Sequence, residues 1–109
     1  MLFRSLGVIT RLVLKLHPKP RSVSTAMVSV PDYGAALRLL RIARERLGPS
    51  LAAFEAMWPD FYDFALAQRG QAPMPADGSI HVLVESMGTD EQRDSELFET
   101  TIEIGRAHV

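Results

Sequence analysis

Residues 6–20 read Leu-Gly-Val-Ile-Thr-Arg-Leu-Val-Leu-Lys-Leu-His-Pro-Lys-Pro. A glycine turn enters an alternating run, and two prolines stop it. Val8, Thr10, Leu12, Leu14 and Leu16 share one face at period two, with Ile9, Arg11, Val13, Lys15 and His17 on the other. That alternation predicts a strand rather than a helix. A strand of this kind needs neighbours on its edges or cover on a face, yet almost nothing precedes it. The run therefore predicts a piece of a larger protein, with one strand of a preceding domain still attached.

The ends give the same expectation. Ile104-Gly105-Arg106-Ala107-His108-Val109 back-translates as ATC GGA AGA GCA CAC GTC, and Leu2-Phe3-Arg4-Ser5 as CTC TTC CGA TCT. The second string is the reverse complement of AGATCGGAAGAG, which the first contains when the Glu103 codon is GAG. A common sequencing adapter read in frame explains both. Residues 1–5 and 104–109 are thus expected to be scars, set aside in reasoning about the fold, and His108 with them. A rival reading of the N-terminus is a mitochondrial presequence, since residues 1–16 hold Arg4, Arg11 and Lys15 and no acid. The period-two alternation argues against it, and a cytoplasmic location is expected.

Composition bounds the rest. The 109 residues suit one small domain. A net charge of −1 gives no case for nucleic acid or an anionic membrane as partner. The absence of cysteine excludes disulfides and thiolate chemistry from this segment. No apolar run reaches the length of a membrane span.

From residue 22 onward the pattern alternates between periods. Residues 22–30 predict a strand, and Pro31-Asp32 opens a helix with Tyr33, Ala36, Leu37, Leu40, Ala43, Arg44 and Leu47 on its apolar face. Arg38, Arg41 and Glu45 lie towards the other side, and the arginines read as a solvated face rather than an anion site. Gly48-Pro49 stops the helix. Residues 51–57 predict a second strand, and Pro59 begins a short helix with Trp58, Phe61, Tyr62 and Ala65 on one side. Residues 68–79, with Gly70, Pro73, Pro75 and Gly78, read as a loop. Residues 80–86 predict a third strand ended by Gly88. Thr89-Asp90-Glu91-Gln92 has the form of a capping box before a helix carrying Leu97, Phe98, Thr101 and Ile102. The order is strand, helix, strand, short helix, strand, helix. It predicts an α+β fold, most of a ferredoxin-like unit, with a parallel doubly wound unit as the alternative.

No catalytic constellation is visible by spacing: there is no Gly-rich phosphate loop and no His-x-x-x-His pair. No metal ligand set is assigned. His17 reads as a surface residue, and His81 lies in a strand that leaves its facing open. Glu55 is the substrate-side candidate, because it sits between Phe54 and Met57 in an apolar strand. A buried carboxylate there costs several kcal/mol, roughly, unless paired or protonated. Its bland counterpart is a side chain that meets water, or an arginine from another part of the parent. Glu85 has the same pattern. Trp58, Phe61, Tyr62 and Phe64 suit a pocket lining, although aromatic residues at helical spacing more often build core.

Several of these stretches together resemble the FAD-linked oxidases that act on 2-hydroxy acids, such as glycolate oxidase flavoprotein subunits, D-lactate dehydrogenases and D-2-hydroxyglutarate dehydrogenases. Leu6-Gly7-Val8-Ile9-Thr10 is similar to the end of that family's Gly-Thr-Leu-Gly-Val-Ile-Thr segment. Leu14-Lys15-Leu16-His17-Pro18-Lys19-Pro20 is similar to the strand and prolines that follow it. Leu51-Ala52-Ala53-Phe54-Glu55-Ala56-Met57 is similar to Leu-Ser-Ala-Phe-Glu-x-Met, and His81-Val82-Leu83-Val84-Glu85 to Tyr-Val-Leu-Val-Glu. Upstream, Arg4-Ser5 stands where the family has Gly-Thr. The resemblance implies that residues 6–20 end an FAD-binding domain, with the backbone at Gly7, Val8 and Ile9 approaching the flavin. Residues 21–103 would begin the substrate-side domain. It implies a parent flavoenzyme that passes a hydride from a small D-2-hydroxy acid to FAD and the electrons to an acceptor. The chain alone, without the pyrophosphate loop or the family's catalytic and metal positions, is expected to be inactive and not to hold FAD. The alternative in another class is a stand-alone ferredoxin-like ligand-binding or regulatory module without catalysis.

Overall fold

The computed structural model of the chain describes residues 6–108. The elements follow in the order β1 (Ser22–Val30), α1 (Tyr33–Leu47), β2 (Leu51–Met57), α2 (Pro59–Arg69), β3 (Ile80–Gly88) and α3 (Glu91–Ala107), with a single 3-10 turn at Gly48–Ser50 after α1. β3 lies between β1 and β2 and runs antiparallel to both. Strands β1 and β2, joined through α1, are therefore parallel with β3 inserted between them. This split β-α-β arrangement is the core of a ferredoxin-like α+β unit. The parallel doubly wound alternative is excluded.

Local chemistry sets the boundaries. Asp32 is extended and accepts the Ala35 N–H at 2.7 Å, which caps α1. Gly48 ends it with φ of 52°, a conformation that disfavours a side chain. Pro59 starts α2, and Gly70, left-handed at φ 73°, ends it by donating to the Leu66 carbonyl at 2.8 Å. Along β1 and β3 the even-numbered side chains face α1 and α3. Val28, Val30, Val82 and Val84 meet Ala35, Leu39, Ala43, Leu47 and Phe98 in one core. The alanines at 35, 36 and 43 let α1 lie close to the sheet and to α3.

Four sequence expectations change here. Residues 6–20 form no strand; they are exposed throughout and carry no regular structure. The alternation is present, but among the described residues nothing hydrogen-bonds to it. The buried stripe of α1 is Ala35, Ala36, Leu39, Ile42, Ala43 and Leu47, so Tyr33, Leu37 and Arg44 turn outward. Two apolar stripes overlap on this helix, and the smaller residues win the sheet side. The loop after α2 starts at Gly70, because α2 continues through Gln68 and Arg69. The cap of α3 is Asp90 rather than Thr89: its carboxylate accepts the Arg93 N–H at 3.1 Å, and Gln92 instead meets Glu96 at 3.2 Å. Helix α3 continues through residues 104–107, part of the stretch expected to be a scar, and Gly105 is buried. Residues 1–5 and Val109 of those scars lie outside the described residues.

Asp94 ties the start of α3 to the start of β1. The Ser22 hydroxyl and the Asp90 N–H both donate to its Oδ2, at 2.6 and 2.9 Å. These donors, the hydroxyl foremost, hold its carboxyl below the ordinary value of 3.8. A carboxyl lowered in the folded state stabilises above its unfolded pKa and loses that contribution as the pH falls through its folded pKa. Stability is expected to fall below about pH 4, and Asp94→Asn is expected to flatten part of that fall. Thermal melts of both proteins across this range check it. Identical pH slopes would remove Asp94 from the account.

Candidate functional site: the open face of the sheet

Helices α1 and α3 cover one face of the sheet. On the other, antiparallel pairing aligns side chains in rows, because directly opposed residues point the same way. Ser29, His81 and Met57 make one row; Met27, Leu83 and Glu55 the next; Thr25, Glu85 and Ala53 the third. Each element supplies its side chains at period two, so one strand register fixes the whole set.

The row containing His81 is closed over. Its ring packs on Tyr62 of α2 with centroids 4.2 Å apart. His81 Nε2 lies 3.1 Å from the Pro75 carbonyl, and Nδ1 lies 2.9 Å from the Ser29 hydroxyl. A carbonyl only accepts, so the neutral ring carries its proton on Nε2, and Nδ1 accepts from Ser29. Beside it the Tyr62 hydroxyl donates to the Met74 carbonyl at 2.7 Å and accepts the Met74 N–H at 2.9 Å. Two rings thus clamp the Met74-Pro75 backbone onto the sheet. The hydroxyl–imidazole distance suits a nucleophile and its base. The ring, however, is only 1% exposed and both nitrogens are engaged. The structure assigns it to holding the loop of residues 70–79.

The other two rows are open. Glu55 is exposed on edge strand β2, and its partner across the sheet is Leu83. Of the two readings of Glu55, the structure has the solvent-facing one: Phe54 turns to the core, and Glu55 turns away from it. Glu85 is half-buried and accepts from the Thr25 hydroxyl at 3.1 Å. Glu55 and Glu85 are diagonal neighbours, and none of the residues in these rows is a cation. The open face therefore carries two carboxylates, Glu55 and Glu85, among the apolar side chains of Met27, Leu83 and Ala53. Among the described residues no group of three or more His, Asp or Glu side chains is placed to hold a metal ion.

The remaining candidates do not converge on this face. Gly7, Val8 and Ile9 lie on the exposed segment, with nothing within 4 Å of a Cβ built at Gly7. These residues build no enclosure for a flavin, so the described residues do not fit the cofactor by themselves and support no catalytic step through it. His17 is exposed, as are Arg38, Arg41, Arg44 and Arg46. Arg41 meets Glu45 at 3.7 Å, and Arg46 Nε donates to the Thr101 hydroxyl at 3.3 Å. Of the aromatics on α2, Tyr62 is buried, while Trp58, Phe61 and Phe64 are 50, 56 and 65% exposed. None of the three belongs to the buried core, and Trp58 packs on Tyr33 with ring centroids 5.9 Å apart. The clamp on Met74-Pro75 was invisible in sequence. Its one partial signal was His81, a polar ring within the otherwise apolar start of β3.

Known proteins supply the context for this face. Residues 19–109 match the family described as FAD linked oxidases, C-terminal domain. The chain is 32% identical over 97 residues to a mitochondrial D-2-hydroxyglutarate dehydrogenase of Arabidopsis thaliana, covering 87% of this chain and 17% of that protein. It is 30% identical over 92 residues to the Bos taurus protein of that name, covering 84% and 17%. It is 30% identical over 99 residues to a putative mitochondrial D-lactate dehydrogenase of Schizosaccharomyces pombe, covering 90% and 19%. The chain thus spans less than a fifth of the length of these curated relatives. All three are named as mitochondrial, which overturns the cytoplasmic location expected from sequence. The argument behind that expectation was strand alternation in a basic, acid-free segment, and residues 6–20 form no strand. With the match covering the whole sheet and all three helices, the chain belongs to the FAD-linked oxidase C-terminal domain family.

Proposed function

We propose that this chain works within a mitochondrial, FAD-dependent oxidoreductase that oxidises a small D-2-hydroxy acid. The observation that carries the reading is the family match over residues 19–109, joined to relatives named for D-2-hydroxyglutarate and D-lactate. Residues 6–20 close the FAD-binding domain, where the backbone at Gly7, Val8 and Ile9 approaches the flavin. Residues 21–103 open the substrate-side domain. The exposure of the first segment and the start of the packed fold at Ser22 support that boundary. Electrons pass on to a carrier rather than mainly to oxygen. Glu55, exposed on the open face, supports the site by pairing with a cation supplied by another part of the enzyme.

Anaerobic titration of the full-length enzyme tests the reading. D-lactate, glycolate or D-2-hydroxyglutarate should bleach its flavin absorbance. Bleaching by 4-alkylphenols alone would sink the substrate class while leaving the family intact. In the same enzyme Glu55→Gln is expected to lower kcat/KM about 10-fold, which corresponds to about 1.4 kcal/mol of transition-state stabilisation. An unchanged kcat/KM makes Glu55 a solvated side chain and nothing more.

A further inference from the structure

β2 and β3 are adjacent antiparallel strands, and a turn of about two to five residues is enough to join such a pair. Here residues 58–79 join them. The connection brings α2 and the loop of residues 70–79 to the face of the sheet opposite α1 and α3, where the His81 ring meets Tyr62. A surface connection longer than the topology needs is a common place for function.

This loop is held by polar contacts rather than by a core. Every residue from Gly70 to Gly78 is exposed except Met74, which is half-buried. The Gly70 N–H caps α2, and Asp77 accepts the Ser79 N–H at 3.0 Å within the loop itself. Among the described residues, its other hydrogen bonds gather at Met74-Pro75. The Tyr62 hydroxyl takes the Met74 carbonyl and N–H, and His81 Nε2–H donates to the Pro75 carbonyl. Gly70 and Gly78 stand at the two ends with φ of 73° and 83°. Glycine moves between backbone regions without a steric penalty, so both ends can turn. A segment with two such ends and one polar latch can lift as a unit while the sheet and α1 stay folded.

We propose that residues 70–79 form a lid, with Gly70 and Gly78 as hinges and Tyr62 and His81 as the latch, a role that rests on the open face being the substrate side of the enzyme. The latched loop covers the row of Ser29, His81 and Met57, and the next row holds Met27, Leu83 and Glu55. Met74 borders the same hollow as Met27 and Ser29, so its side chain reaches the line between the two rows. Latched, the loop walls off one end of the Glu55 row and keeps a small acid in place there. Lifted, it lets the acid enter and the product leave. Tyr62 and His81 are positioning residues in this scheme, because they hold the loop backbone and do not touch the acid.

Anaerobic stopped-flow reduction of the full-length enzyme tests the lid, with D-lactate or D-2-hydroxyglutarate as the reductant. Tyr62→Phe should raise the acid concentration that gives half-maximal flavin reduction about 10-fold and leave the limiting rate within about 2-fold. A residue that merely supports the fold would not split the two in this way. Hydrogen exchange on the native enzyme is the second measurement and needs no variant. Exchange in residues 70–79 should slow when pyruvate or 2-oxoglutarate, the oxidised acids, is added, while exchange in α1 stays as it was. Either failure, in an enzyme whose flavin D-lactate or D-2-hydroxyglutarate bleaches, overturns the lid and leaves the substrate reading standing. A native flavin that no 2-hydroxy acid bleaches sinks the substrate reading and takes the lid with it.

Discussion

Leu39→Ala is expected to destabilise the chain by about 2–5 kcal/mol, the range for a buried leucine truncated in a packed core. Leu39 is fully buried where α1 meets the sheet and α3. A Cβ built at Gly105 would lie 2.5 Å from Leu39 Cδ1, so the glycine is what lets the two helices close at this point. Gly105→Ala alone sets about 1 kcal/mol of better helix propensity against this clash. The clash wins while Leu39 is fixed, because overpacking costs about 1–3 kcal/mol. With Leu39 shortened, the new methyl enters the space it leaves. The double variant is therefore expected to be more stable than Leu39→Ala by about 1 kcal/mol or more. Urea unfolding of the four proteins in the cycle measures the coupling. Strict additivity would mean that the contact between α1 and α3 is looser than the structure has it.

The parts of the fold that depend on neighbouring residues were legible. The bounds of β1 and β2 coincide with those expected from alternation and from Pro31, Gly48, Pro49 and Pro59. Residues 80–86 found β3 short by two. The parts that depend on a distant partner were not legible. Residues 6–16 alternate as a strand should, but a strand is a property of two chain segments, and among the described residues no second segment meets this one. On α2 the aromatic residues lie around the helix, and only contact with β3 selects Tyr62 for burial. Thr89 and Asp90 are both good caps; the Ser22 hydroxyl, 72 positions away from Asp94, settles the choice by anchoring the first turn. Glu55 carried both a buried and a solvent-facing reading because its neighbours are apolar. On an edge strand with one covered face, every second residue meets solvent whatever lies beside it in sequence. Of the candidate site only Glu55 and Glu85 were legible, as carboxylates in apolar strands; the open face becomes visible once β3 is known to be central.

His81→Phe is the other large change, expected to cost about 2–4 kcal/mol. The ring shape and its packing on Tyr62 are kept, so the cost comes from hydrogen bonds. The Ser29 hydroxyl and the Pro75 carbonyl each lose their partner, at about 1–3 kcal/mol for a group left unpaired in a largely enclosed place. Tyr62→Phe strips the Met74 N–H and carbonyl of theirs and is expected to cost less, because that backbone can reach water when the loop lifts. Both changes act on one segment. Amide hydrogen exchange in residues 70–79 should accelerate in each variant, while exchange in β1 and α1 rises only with the global loss of stability. This separates the clamp from a catalytic role. If His81→Phe keeps its stability and loop protection but the full-length enzyme no longer reduces its flavin, the ring serves the chemistry and the clamp account is wrong. Loss of stability with fast exchange in the loop, and flavin reduction retained at low temperature, leaves His81 as the residue that pins Met74-Pro75 to the sheet.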